Sequence, residues 1–112
     1  MKLIIGGAYQ GKLDYAKEQF GLSDSEIFDC TETGEPDFSK ACLNHIERYV
    51  RHCLKTGREP WEALAAWMKE QSGGVLICED IFCGVVPTDP ELRAWREACG
   101  RLLNRAAGEA EQ

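Results

Sequence analysis

Two short apolar runs in the chain predict buried strands. The first spans residues 3–5 and ends at two glycines, and the second spans residues 75–78 and leads into the acidic pair Glu79-Asp80. Apolar runs without polar alternation are typical of strands that are buried on both faces, as in parallel sheets. Residues 26–30 lie between polar stretches and are predicted to form a further strand.

Apolar residues that recur at helical spacing predict four helices. The expected spans are residues 12–20, 37–55 with Asp37 or Ser39 as the cap, 60–71 and 90–107. Strands that alternate with helices imply parallel pairing and right-handed crossovers. The predicted fold class is therefore α/β, with a mainly parallel sheet flanked by helices.

The length and charge of the chain narrow its expected partners. A chain of 112 residues is typical of one domain, which we expect to span residues 1–112. Its formal charge of −6 opposes binding to nucleic acid or to anionic lipid. The sequence shows neither a signal peptide nor an apolar run near the roughly 20 residues of a membrane helix. We therefore expect a cytoplasmic protein with no nucleic-acid or membrane partner.

The six cysteines have two interpretations. They are scattered through apolar patterns without a signal peptide, which favours buried, reduced thiols that act as small hydrophobic residues. The alternative is a metal site, because Cys42, His45 and His52 would share one stripe of the predicted helix 37–55. Ile46 and Tyr49 would lie on the same side of that helix, which favours the first interpretation.

The N-terminal strand is followed by a glycine-rich segment that matches the G-x-x-x-x-G-K phosphate loop. Glycines let successive backbone N–H groups surround a phosphate, the helix that follows adds its positive end, and the lysine reaches the outer phosphates. The strand, loop and helix expected around such a loop are all predicted here. The predicted phosphate-binding residues are Gly6, Gly7, Ala8, Tyr9, Gln10, Gly11, Lys12 and Leu13.

Leu13 departs from the phosphate-loop pattern. A serine or threonine normally stands there and gives an oxygen ligand to the Mg²⁺ ion that bridges the phosphates, and leucine cannot do so. Phosphate binding by the backbone and Lys12 is expected to survive, whereas metal-assisted transfer is expected to be weaker. Asp80, after the second apolar strand, is the predicted Mg²⁺ ligand, and the alternative for Glu79 and Asp80 is a solvated strand end.

Residues 75–105, VLICEDIFCGVVPTDPELRAWREACGRLLNR, contain a distinctive order of motifs. An apolar strand leads to an acidic residue, then to Gly-(Ile/Val)-Val-Pro, then to a helix with Arg-x-x-Arg-(Asp/Glu)-x-x-Gly-Arg. This order resembles the adenosylcobinamide kinase/adenosylcobinamide-phosphate guanylyltransferase family of cobalamin biosynthesis, and so does the N-terminal glycine-rich loop. The matching positions are Asp80, Gly84, Val85, Val86, Pro87, Arg93, Arg96, Glu97, Gly100 and Arg101.

The resemblance implies a three-layer fold like that of P-loop NTPases and a specific kinase activity. A phosphoryl group would pass from ATP or GTP, with Mg²⁺, to adenosylcobinamide. Lys12 and Asp80 would be catalytic, and Arg93 and Arg101 would face the nucleotide or the corrinoid. The spacing of the arginines by itself favours a charged helix face with pairs such as Glu97 and Arg101.

The chain also departs from this family. Bifunctional members transfer GMP through a histidine, and neither His45 nor His52 matches that position, so guanylyltransferase activity is not expected. Family members continue into another strand after the arginine-rich helix and form oligomers, so we expect an open sheet edge and self-association. Two main functions remain open, a cobinamide kinase and a non-catalytic relative that acts as a nucleotide-binding or regulatory subunit, which Leu13 favours. A thiol or metal protein is the third alternative.

Overall fold

The computed structural model of the protein describes residues 2–6, 12–71, 73–79 and 89–109. A short 3-10 turn, Asp24–Glu26, precedes the second strand. In chain order the helices and strands are β1 (Lys2–Gly6), α1 (Lys12–Phe20), β2 (Ile27–Asp29), β3 (Cys42–Asn44), α2 (Ile46–Thr56), α3 (Pro60–Glu70), β4 (Val75–Glu79) and α4 (Pro90–Glu109).

The four strands form one parallel sheet in the order β1-β4-β3-β2. In this register Gly6 pairs with Glu79, and Asp29 pairs with Asn44. The carboxyl ends of all four strands therefore meet at the same edge of the sheet. Parallel pairing confirms the predicted α/β class.

Helices cover both faces of the sheet because successive side chains of a strand point to opposite faces. Val75 and Ile77 pack in a small cluster with Ala16 of α1. Leu76 and Cys78 point into the larger cluster, which holds the buried side chains of α2, α3 and α4. In the described part of the chain the sheet thus divides the core, with one helix on one side and three on the other.

Three of the four predicted helices are confirmed. α1 has the predicted bounds, and its end coincides with Gly21, which has a left-handed φ of 65° that glycine tolerates well. α3 begins at Pro60 and α4 at Pro90, as the prolines indicate. The strand expected at residues 75–78 is also confirmed, one residue longer, as β4.

The predicted helix over residues 37–55 is wrong in its first half. Cys42, Leu43 and Asn44 form β3, a strand paired with β2 on one side and β4 on the other, and α2 begins only at Ile46. Cys42 and Leu43 are completely buried, so burial and pairing on both sides outweigh the local helical spacing. The metal site proposed across Cys42, His45 and His52 is wrong as well, because these residues do not share a helix.

The cysteines behave as the sequence predicts. Five lie in the described part of the chain, and all five are buried and reduced: Cys30, Cys42, Cys53, Cys78 and Cys99. Cys83 lies outside the described residues. Among the described helices, none combines the length and the apolar character needed to cross a membrane.

Candidate functional site at the carboxyl ends of the strands

Polar side chains follow three neighbouring strands at the edge where their carboxyl ends meet. Asp29 ends β2, Asn44 ends β3 and Glu79 ends β4. His45 and Glu47 come directly after β3, at the start of α2. Ligands of open parallel sheets bind at this edge, which makes the group a candidate functional site.

Glu47 is the buried centre of this group, with 1% of its surface exposed. Its Oε1 atom accepts a hydrogen bond of 3.0 Å from the backbone N–H of Glu79. Its backbone carbonyl accepts a hydrogen bond of 2.8 Å from the indole N–H of Trp95 on α4. Glu47 therefore ties the start of α2 to β4 and α4, and its carboxylate is held in one orientation.

His45 joins β3 to α2 with a left-handed backbone, φ 58° and ψ 49°. This conformation is uncommon for residues other than glycine. The His45 Nδ1 atom lies 2.9 Å from Glu47 Oε2 and 3.5 Å from Glu79 Oε2. On the other side of the ring, Nε2 lies 3.9 Å from Asp29 Oδ1. The imidazole is thus surrounded by carboxylates from three different elements.

The Asp29 carboxylate is oriented by Asn44, whose side-chain amide donates a hydrogen bond of 3.2 Å to the Asp29 Oδ1 atom.

The nearest ligand atoms of His45, Glu47 and Glu79 all lie within 4.8 Å of one another. One nitrogen and several oxygens at such distances can hold a divalent cation, or can pass a proton between imidazole and carboxylate.

Two cysteines near this group are kept neutral. Burial raises the pKa of the Cys30 thiol to about 12, and the negative charges of Asp29 and Glu47 add to the effect. Burial also raises the pKa of Cys99 to about 12, with a smaller contribution from Glu47. A neutral thiol is a poor nucleophile and a poor metal ligand. The chemistry of this edge therefore belongs to the imidazole and the carboxylates.

We expect Cys30, Cys42 and Cys99 of the folded protein to resist alkylation. Burial raises the pKa of Cys42 to about 12, as it does for Cys30 and Cys99. At pH 8 a thiol with this pKa has a thiolate fraction about a thousandfold below that of a thiol with a pKa of 9. Iodoacetamide labelling at pH 8, read for each cysteine by peptide mass spectrometry, checks this result. The control is the same reaction in urea, and equal rates in both conditions would contradict the expected burial.

The predicted phosphate loop is described only at its two ends. Gly6 is the last residue of β1, and the backbone of Lys12 and Leu13 forms the start of α1. Their side chains lie outside the described part of the chain, as does Asp80. The remaining loop residues, Gly7, Ala8, Tyr9, Gln10 and Gly11, also lie outside the described residues. The strand before the loop and the helix after it are confirmed.

The two arginines singled out in the sequence lie at different places along α4. Arg93 is exposed in the first turn of the helix, and its backbone N–H donates to the Asp89 carbonyl. Arg101 lies 4.0 Å from Glu97, the pair that the spacing predicts. It lines a cavity of about 170 Å³ with residues from the end of α2 and the start of α3. α2 starts beside His45, so Arg101 lies toward the opposite end of that helix.

The sequence indicates His45 only as an alternative metal ligand with Cys42 and His52, and it gives no indication of Glu47. The helix predicted over residues 37–55 contains both His45 and Glu47, and it separates them from the strand end at Glu79. The available signal was the polar sequence Asn-His-Ile-Glu directly after the apolar pair Cys42-Leu43.

The chain matches no protein-family model, and no curated protein matches it in sequence. The functional argument therefore starts from the residues at the carboxyl edge of the sheet.

Proposed function

We propose that the chain binds ATP or GTP at its glycine-rich loop and transfers a phosphoryl group to adenosylcobinamide, as a kinase with a P-loop NTPase fold. The observation that carries this proposal is the parallel pairing of β1 with β4, in which Gly6 stands opposite Glu79. The chain segment that follows β1 and the one that follows the acidic end of β4, Glu79, therefore start from adjacent positions. Phosphate-loop enzymes need this neighbourhood, because the acid after the second strand holds Mg²⁺ at the phosphates.

The proposed reaction needs little covalent chemistry from the protein. The acceptor hydroxyl oxygen attacks the γ-phosphorus, the bond from that phosphorus to the β,γ-bridging oxygen breaks, and the nucleoside diphosphate leaves. Lys12, at the first turn of α1, offsets the charge that develops on the phosphoryl oxygens together with the positive helix end. The hydroxyl proton passes to a carboxylate at the carboxyl edge or to water.

Mg²⁺ would be bound by Asp80 and by the neighbouring carboxylates, and would supply positive charge at the phosphates. The described residues fit this role, because Glu79 is partly exposed at the end of β4 and Glu47 lies next to it. Oxygen ligands of this type are the ones that Mg²⁺ prefers. Leu13 offers no such oxygen.

Substitution of Lys12 tests nucleotide binding. We expect Lys12→Ala to weaken the binding of MgATP or MgGTP by about 10- to 100-fold, the effect of a lost charge-assisted hydrogen bond of about 1.5–3 kcal/mol. Isothermal titration calorimetry measures the affinities. The matched control is Lys17→Ala on the same helix, whose ammonium group pairs with Asp24 at 2.6 Å. Equal affinities of the two variants would contradict the proposed loop.

Turnover separates the kinase from the second candidate, a non-catalytic nucleotide-binding relative that Leu13 favours. Wild type, Lys12→Ala and Leu13→Ser are incubated with adenosylcobinamide, nucleotide and Mg²⁺, and the phosphorylated corrinoid is measured by mass spectrometry. A kinase forms product in the wild type and not in Lys12→Ala. Nucleotide binding without product, with turnover gained in Leu13→Ser, would instead identify the non-catalytic relative and the residue responsible.

A further inference from the structure

Two carboxylate oxygens converge on one ring nitrogen of His45. Glu47 Oε2 lies 2.9 Å from Nδ1, and Glu79 Oε2 lies 3.5 Å from the same atom. A ring nitrogen carries at most one proton, so one N–H can make a hydrogen bond of ordinary length to only one of them. Both oxygens nevertheless point at the same small region of space.

The separations of these atoms agree with the geometry of metal coordination. When ligands lie about 2.1 Å from a divalent ion, neighbouring ligand atoms are about 3.0 Å apart in an octahedral site and about 3.4 Å apart in a tetrahedral site. The two distances from His45 Nδ1 are 2.9 and 3.5 Å, and the whole set lies within 4.8 Å. One ion can therefore be bound by all three side chains after small rotations.

The local charge also favours a cation. Among the lysines and arginines whose side chains the structure describes, which exclude Lys2 and Lys12, none forms an ion pair with Asp29, Glu47 or Glu79. Acidic residues elsewhere on the surface do have such partners, as Glu32 has Arg51 and Lys55. A buried carboxylate without a full counter-charge is costly, and Glu47 is almost completely buried. A bound cation removes that cost.

We propose that His45, Glu47 and Glu79 bind one first-row divalent transition-metal ion, such as Mn²⁺ or Zn²⁺, in the absence of nucleotide. An imidazole nitrogen beside two carboxylates favours these ions over Mg²⁺, which prefers oxygen ligands alone. The backbone N–H of Glu79 holds Glu47 Oε1 and so orients Oε2 toward the ion. The side chains of His45 and Glu79 are 24% and 21% exposed, which leaves the site a path to solvent.

This site shares Glu47 and Glu79 with the Mg²⁺ ligands of the proposed phosphoryl transfer, but it adds His45 and needs no nucleotide, because all of its ligands belong to the protein. Mg²⁺ in the kinase proposal arrives with the nucleotide and depends on its phosphates. The proposed site depends instead on the junction of β3 with α2 and on the end of β4. Metal binding and nucleotide binding are therefore expected to be separable by substitution.

The experiment titrates metal-free, nucleotide-free protein with Mn²⁺, followed by electron paramagnetic resonance and calorimetry, and with Zn²⁺ by calorimetry. We expect one ion per chain in the wild type. His45→Asn and Glu79→Gln are each expected to weaken the affinity at least about tenfold, since each removes or neutralises a ligand. Asparagine is chosen because it tolerates the left-handed backbone at position 45.

The matched control is His52→Gln, which replaces the other histidine of the chain, stacked on Tyr49 within α2. Its metal affinity should equal that of the wild type. Circular dichroism establishes whether each variant is folded. If His45→Asn does not fold, the metal affinity of Glu79→Gln tests the site. A wild type that binds neither ion, or that binds both no better than Glu79→Gln, overturns the proposal.

The Lys12→Ala variant distinguishes the proposed nucleotide site from the proposed metal site. It is expected to bind Mn²⁺ like the wild type while its nucleotide affinity falls. Loss of nucleotide binding alone would leave the metal site supported, and loss of metal binding in His45→Asn alone would leave the nucleotide site supported. Metal binding that appears only when nucleotide is present would overturn the metal site as proposed.

Discussion

Replacement of Trp67 with alanine is expected to lower the free energy of unfolding by about 3–5 kcal/mol. Trp67 lies on α3, has 1% of its surface exposed and is the largest fully buried side chain of the described core. Its indole N–H donates a hydrogen bond of 2.8 Å to the Lys40 carbonyl, just before β3. The substitution removes a large buried volume and the link between α3 and the sheet. Chemical denaturation followed by far-ultraviolet circular dichroism measures the loss.

The control for this prediction is Trp67→Phe, which keeps most of the apolar volume and removes the indole N–H. It is expected to cost about 1–2 kcal/mol, mainly for the lost hydrogen bond and the smaller ring. A free energy of unfolding well below that of Trp67→Phe in the Trp67→Ala variant would confirm that the buried volume of Trp67 contributes more to stability than its hydrogen bond. A Trp67→Ala variant within 1 kcal/mol of the wild type would contradict the packing of α3 against the sheet.

Proline at position 42 is expected to destabilise the fold by more than about 3 kcal/mol. Cys42 lies in β3 and pairs with Ile27 on one side and Val75 on the other. Proline cannot donate a backbone hydrogen bond and is excluded from the middle of a sheet. If residues 37–55 formed one helix capped at Ser39, position 42 would lie in its first turn, where proline is tolerated. The variant therefore distinguishes the strand from the helix.

The control is Cys42→Ala, which removes the buried sulfur and leaves the backbone N–H in place. Its cost is expected to be on the order of 1 kcal/mol, as for other small buried truncations. Thermal denaturation of Cys42→Pro, Cys42→Ala and wild type gives the comparison. Equal stability of the proline and alanine variants would show that β3 does not form.

The elements that could be predicted from the sequence are those with clear local signals. α1, α3 and α4 each have several turns of apolar spacing, and proline or glycine marks their ends. Most of β4 is a run of four apolar residues, 75–78, that follows two glycines and is too short for a typical helix. β3 has three residues, too few to show an alternating pattern. Its identity depends on pairing with β2 and β4, which are distant in sequence.

The candidate site could be predicted only in part, for the same reason. The acidic end of β4 follows from the apolar run that precedes it, so the sequence indicates Glu79 together with Asp80. The sequence places His45 inside a helix because the left-handed position between β3 and α2 is taken by a histidine, which gives no local signal of a turn. Glu47 carries no sequence signal of burial, since glutamate is usually exposed. Its burial results from the contacts with Glu79 and Trp95.

The position of β1 at one side of the described sheet affects how the chain folds during synthesis. In that sheet β1 pairs only with β4, so Lys2 cannot pair until Val75 has been synthesised. At translation rates of about 5–20 residues per second, the N-terminal strand is made roughly several seconds before its pairing partner. β2, β3 and α2 are made earlier than β4. β1 is thus made before β2, β3 and α2, but it can complete its parallel pairing only after all three have been made.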